Sequence, residues 1–136
     1  MTITVKTSIK ARVEKVWECW TKPAHIIHWN FASPEWTCPS AINDLQPNGV
    51  FNWRMEAKNG SMGFDFTGVY SEVKENELIA YKMSDGRKVE IRFIVSGDEV
   101  ELLETFEAEG TNADEQQRLG WQAILDNFKN YVESKK

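Results

Sequence analysis

A chain of 136 residues with a formal net charge of -5 is long enough to bury one apolar core without crosslinks or metals, and its acidity argues against a nucleic-acid partner. Residues 1–30 carry five basic and two acidic groups and residues 98–136 four and ten, with the basic ones scattered as on a solvated face. Cys19 and Cys38 have no spacing for a disulfide framework or a metal site and are expected to be reduced and packed.

The first residues, Met1 to Lys6, show neither a charged leader nor an apolar run that could cross a bilayer, so no membrane span and a cytoplasmic location are expected. Thr2 to Ile9 alternates, with Ile3, Val5, Thr7 and Ile9 on one side of a half-buried strand. From Arg12 to Trp20 the apolar residues Val13, Val16, Trp17 and Trp20 share one helical face. Pro23, with His25 to Trp29, predicts a second short helix. Asn30 to Gln46 has no clear period and is expected as an ordered loop with a short strand at Ala41 to Asn43.

Pro47-Asn48-Gly49 marks a turn, after which Gly49 to Glu56 alternates with Phe51, Trp53 and Met55 on one face. Lys58-Asn59-Gly60 signals a hairpin into a strand from Gly63 to Val73, with Phe64, Phe66, Gly68 and Tyr70 on one side and a bend expected at Gly68. Further strands follow at Glu77 to Met83, Arg87 to Ser96 and Glu99 to Glu107. Val89, Ile91, Phe93 and Val95 set the phase of the second. The phase of the third stays open because Leu102 and Leu103 are adjacent.

Asn112 to Glu115 reads as a capped helix start. A helix from Ala113 to Ser134 would run about 33 Å, with Trp121, Ile124, Leu125, Phe128, Tyr131 and Val132 as its apolar stripe and Gln122, Asp126, Lys129, Asn130 and Glu133 facing water. The absence of repeats and linkers predicts a single domain over residues 1–136. One helix pair after the first strand, six consecutive strands and a long final helix predict an α+β fold whose antiparallel sheet of six or seven strands curls around the last helix.

Val13-Glu14-Lys15-Val16-Trp17-Glu18 with Trp20-Thr21, then Trp29, Gly49-Val50-Phe51, Phe66-Thr67-Gly68-Val69-Tyr70 and Gly120-Trp121-Gln122-Ala123-Ile124-Leu125 resemble the activator of heat-shock-protein-90 ATPase homologue family. That family lies within the START-like, polyketide-cyclase (SRPBCC) superfamily. The resemblance implies a helix-grip fold enclosing an apolar cavity between the concave sheet and the C-terminal helix, and a stress-related role. The same architecture hosts carriers, cyclases and cochaperone-like domains, so fold does not fix function. The family's eukaryotic cochaperone has an additional N-terminal domain for which this chain leaves no room, and a stand-alone small-molecule-binding domain is the expectation.

The converging faces predict a ligand pocket lined by Phe51, Trp53, Met55, Phe64, Phe66, Phe93, Trp121, Leu125 and Phe128, with a volume on the order of 300 Å³ or more. For each ring singly, core packing competes with ligand contact. Trp29, Phe31 and Trp36 lie in or beside the irregular segment, where they would form either a lid or a core plug. Glu104 is the one carboxylate that could face inward; the outward phase is expected, because unpaired glutamate is seldom buried. His25 and His28 invite a zinc reading, but H-x-x-H without a third ligand is weak and solvated histidines are expected. No nucleophile elbow or phosphate loop occurs, so neither catalytic residues nor cofactors are assigned.

Three functions compete: binding of a hydrophobic or aromatic small molecule, a cyclase- or hydrolase-like enzyme using Glu104, and a chaperone-associated interaction domain. Monomer and homodimer both stay open.

Overall fold

The computed structural model describes residues 2–110 and 112–135. Seven strands, β1 (Thr2–Ile9), β2 (Trp36–Asn43), β3 (Val50–Ala57), β4 (Gly63–Lys74), β5 (Leu78–Met83), β6 (Lys88–Ser96) and β7 (Glu99–Glu107), form one sheet. Its spatial order is β1-β7-β6-β5-β4-β3-β2, with every neighbouring pair antiparallel. Helices α1 (Val13–Thr21) and α2 (Pro23–Ile26) follow β1, and α3 (Asp114–Ser134) ends the chain. The layout is the curled sheet and long terminal helix of the helix-grip fold, as the order of elements predicted. Among the described residues no helix is long and apolar enough to cross a membrane.

The expected loop from Asn30 to Gln46 holds a longer strand than the sequence implied. β2 pairs with β3 from Trp36↔Ala57 to Asn43↔Phe51, and its register shifts between Thr37 and Ser40. Pro39 sits in that irregularity on an edge strand, where a missing amide breaks no ladder. The proline and the bulge together erase the period-two signal. α2 is correspondingly shorter than Pro23 to Trp29, and Val95 is exposed at the end of β6.

Helix α3 starts without the expected side-chain cap; its N-cap residue is Ala113. Gln117 takes over from inside the first turns. Its amide nitrogen donates to the carbonyls of Asn112 (2.8 Å) and Glu109 (3.2 Å), and its oxygen accepts from the Glu109 amide (2.9 Å). This ties the exit of β7 to the entry of α3.

The helix also covers the free edge of β1. Gln122 accepts from the Lys6 amide (3.4 Å) and donates to the Lys6 carbonyl (3.0 Å), Glu133 accepts from the Lys10 amide (2.9 Å), and Arg118 donates to the Thr4 carbonyl (3.1 Å). Lys129 donates to the Ser8 carbonyl. From Arg118 to Glu133 the helix advances about 22 Å and from Thr4 to Lys10 the strand advances about 20 Å, so helix and strand stay alongside each other from the first of these contacts to the last. Gln122, Lys129 and Glu133 are therefore half-buried edge caps, not the purely solvated residues expected.

Between sheet and helices lies an aromatic core. Trp29 is 1 % exposed, with its indole N–H donating to the Cys19 carbonyl at 2.9 Å and its ring 4.7 Å from Phe128 and 4.8 Å from Trp20. Phe51 touches Trp53, Phe66, Tyr70 and Tyr81. Gly68, opposite Phe51 in the ladder, makes room for it: a Cβ there would lie 2.6 Å from the Phe51 ring. The residue expected to bend β4 thus serves close packing, and the register irregularity falls between Tyr70 and Glu72. Cys19 and Cys38 are free and buried, as expected.

Candidate functional site

The concave face of the sheet leaves a pocket of about 220 Å³ under α3, smaller than the sequence suggested. Strand β3 contributes Trp53 and Met55, β4 Phe64 and Phe66, β5 Tyr81 and β7 Glu104. Trp121 and Ile124 come from α3, Trp20 from α1, Trp29 and Asn30 from the segment after α2, and Arg87 from the turn before β6. Phe64 is 46 % exposed and stands at the rim, with Trp36 tilted against it at 5.9 Å.

Of the residues expected to line a pocket, Trp29, Trp53, Met55, Phe64, Phe66, Glu104 and Trp121 border this one. Phe51, Phe93, Leu125 and Phe128 are core residues instead, each 5 % exposed or less. They fill the volume that the larger cavity would have needed. Phe31 and Trp36 are half-buried outside the pocket wall. Trp20, Asn30, Tyr81, Arg87 and Ile124 were not assigned from sequence. Trp20 and Ile124 were legible, being on the stripes of α1 and α3; Tyr81 follows from the phase of β5. No sequence pattern marks Asn30 or Arg87.

Glu104 faces inward, against the outward orientation expected. On β7 the buried residues are Val100, Leu102, Glu104 and Phe106. Glu104 pairs with Val5 of β1 and Ile91 of β6, both buried. A one-residue slip would turn Glu104 out to water only by exposing Val100, Leu102 and Phe106, each 1 % exposed or less here, so three apolar side chains outweigh one carboxyl. Burial alone lifts the Glu104 carboxyl to about 8, so it carries its proton at neutral pH.

Other polar groups share the wall. Burial, and then the charge of Glu104, push the Tyr81 hydroxyl well above its ordinary range. The Trp53 indole N–H is buried and has no hydrogen-bond partner among the described residues. Arg87 donates to the Asp85 carboxylate (2.8 Å) and the Glu107 carbonyl (3.2 Å), and the Asn30 side-chain amide donates to the Cys38 sulfur at 3.8 Å.

His25 and His28 both pack against Tyr131. The Nδ1 of His25 lies 2.6 Å from the Tyr131 hydroxyl, His28 stacks on the Tyr131 ring, and burial lowers the His25 pKa. Among the described residues no group of three or more His, Cys, Asp or Glu could hold a metal.

A helix-grip domain with an aromatic pocket beneath its terminal helix defines a START-like protein. More narrowly, the chain belongs to the family of activator of Hsp90 ATPase homolog 1-like proteins, whose model matches residues 10–133. It is 53 % identical to Chr148 from Cytophaga hutchinsonii over 98 % of this chain and 92 % of that one, with a TM-score of 0.85. It is 41 % identical to the AHSA1-like protein from Aeromonas hydrophila over 98 % and 93 %, with a TM-score of 0.94. Protein NE0264 from Nitrosomonas europaea, 16 % identical over 100 % and 96 % with a TM-score of 0.87, shares the fold. No curated protein matches significantly.

Proposed function

We propose that the chain is a small-molecule-binding protein whose pocket takes a compact, mostly apolar ligand about the size of one or two rings. The observation that carries this is a recess of about 220 Å³ walled by Trp20, Trp53, Phe66 and Trp121, with a buried carboxyl at Glu104. Rings give a ligand large contact area, and a few polar groups among them fix its orientation. Phe64 and Trp36 stand where a ligand would enter.

The enzyme reading is favoured by the same carboxyl, since an acid held near 8 can donate a proton at neutral pH. It ranks second because among the described residues no protein hydrogen bond orients that group. A chaperone-associated role draws support from the family's description alone.

The six tryptophans supply the test. In a nitrogen-15 spectrum, titration with single-ring aromatic compounds should move the indole resonances of Trp20, Trp53 and Trp121 and leave that of Trp17 in place. Equal movement of all six, or none at millimolar compound, would overturn the reading.

A further inference from the structure

We propose that this pocket selects a compact aromatic ligand bearing a carbonyl or similar acceptor oxygen, which takes hydrogen bonds from the Glu104 carboxylic acid and the Tyr81 hydroxyl. The inference rests on the ligand-binding reading above and adds the chemical class of the ligand.

Glu104 is 6 % exposed and Tyr81 4 %, and among the described residues neither the carboxyl nor the hydroxyl has a protein hydrogen-bond partner; burial is the sole cause acting on Glu104. Trp53 adds a buried indole N–H with no acceptor. A protonated carboxyl, a phenol and an indole each present a donor. Arg87 adds a guanidinium whose N–H groups are engaged by Asp85 and Glu107. Among the described residues the wall therefore holds three donors, on Glu104, Tyr81 and Trp53, that no protein acceptor takes up.

Ligand classes separate on this basis. An acceptor oxygen pairs with donors that a hydrocarbon of the same shape would leave unsatisfied, and a buried unpaired polar group is costly. An organic cation would gain from the ring faces but would require Glu104 to ionise and would meet the charge of Arg87. The expected order is acceptor, then hydrocarbon, then cation.

The pH response follows from the groups that face the site. On β5 this is Tyr81 and before β6 it is Arg87; the other neighbours of Glu104, Val5 on β1, Ile91 on β6 and Trp121 and Ile124 on α3, do not titrate. With the Tyr81 hydroxyl pushed well above its usual range, Glu104 is the group that changes charge near pH 8. Its loss of a proton turns a donor into an acceptor.

Isothermal titration calorimetry with ethylbenzene, acetophenone and benzylamine, three molecules of closely similar size, tests this at pH 6.5 and 9.5. Wild type at pH 6.5 should bind acetophenone at least tenfold more tightly than ethylbenzene and benzylamine least. The preference should fall several-fold at pH 9.5, in Glu104→Leu and in Tyr81→Phe. Glu104→Gln, which keeps a donor that does not titrate, should retain it at both pH values and guards against a folding defect in Glu104→Leu. Equal binding of acetophenone and ethylbenzene would overturn the acceptor inference while leaving the binding reading intact. Tightest binding of benzylamine would replace it with a cation site. Failure of all three compounds to bind would overturn both.

Discussion

Trp121 lies flat against Phe106, with ring centroids 4.0 Å apart and planes 10° from parallel. This contact joins the middle of α3 to β7 two residues beyond Glu104, and Trp121 also meets Phe66 edge-on across the pocket. One indole thus helps hold the helix on the sheet and forms a wall of the site. Trp121→Ala should cost about 2–4 kcal/mol, read as a lower midpoint in urea denaturation. It should also remove the response of the Trp20 and Trp53 indoles to aromatic compounds. Trp121→Phe, which keeps a ring over Phe106, should recover most of the stability. A Trp121→Ala protein as stable as wild type would show that the stack contributes nothing to holding α3.

Glu104 gives the protein a pH signature of its own. Its carboxyl titrates near 8 in the fold against an ordinary value near 4.3 when unfolded. Between those values the folded state holds a proton that the unfolded state has released. Stability contributed at this residue is therefore complete at acid pH, declines as pH rises to about 8 and is flat above. Other carboxylates titrate too, so the contrast with Glu104→Gln is the informative quantity. The variant should gain on wild type by up to about 4 kcal/mol between pH 5 and 9, measured as the difference in unfolding free energy at each pH. A constant difference across that range would mean that the carboxyl is not buried as described.

The contrast between β7 and β2 shows what the sequence could convey. Periodicity located β7 but could not choose its phase, because Leu102 and Leu103 are adjacent. Only the pairings with Val5 and Ile91 choose the face, and these lie about 100 and 13 residues away in the chain. β2 was legible only at Ala41 to Asn43 for a different reason: Pro39 and a bulge interrupt its alternation before that point, and its full length depends on β3 beside it. The rings now split between pocket and core were indistinguishable, since Phe51 and Trp53 share a strand face and both are buried. Which one borders a void depends on the depth of the sheet's curl beneath α3. Periodicity was sufficient to locate α3 and the β4–β6 meander because each carries a run of inward apolar residues, although the run of β4 is exposed at Phe64 and that of β6 at Val95.

Gly68 should not tolerate a side chain. A Cβ would come within 2.6 Å of the Phe51 ring and 2.8 Å of the Lys82 carbonyl. The ring is locked among Trp53, Tyr70 and Tyr81, and the carbonyl belongs to the neighbouring strand, so neither can yield cheaply. Gly68→Ala should therefore destabilise by about 1–3 kcal/mol. Pairing it with Phe51→Leu, which removes the ring, should restore part of the loss in a double-mutant cycle, whereas strict additivity of the two changes would place the strain elsewhere.

The edge of β1 supplies a residue-resolved prediction by amide hydrogen exchange. Lys6 and Lys10 have amides held by side chains of α3, at Gln122 and Glu133, while Val5 and Ile9 pair with Glu104 and Val100 of β7. The Lys10 amide is also the largest cause holding the Glu133 carboxyl below its ordinary range. Glu133→Ala should speed exchange of the Lys10 amide at least tenfold, and Gln122→Ala that of Lys6, with Val5 and Ile9 little changed. Both substitutions together leave a row of unpaired edge groups, the feature that invites pairing with another chain. The double variant should accordingly show more association with rising concentration than wild type in sedimentation velocity. If Lys10 exchanges at the wild-type rate in Glu133→Ala, the strand edge is protected by something other than the helix side chain.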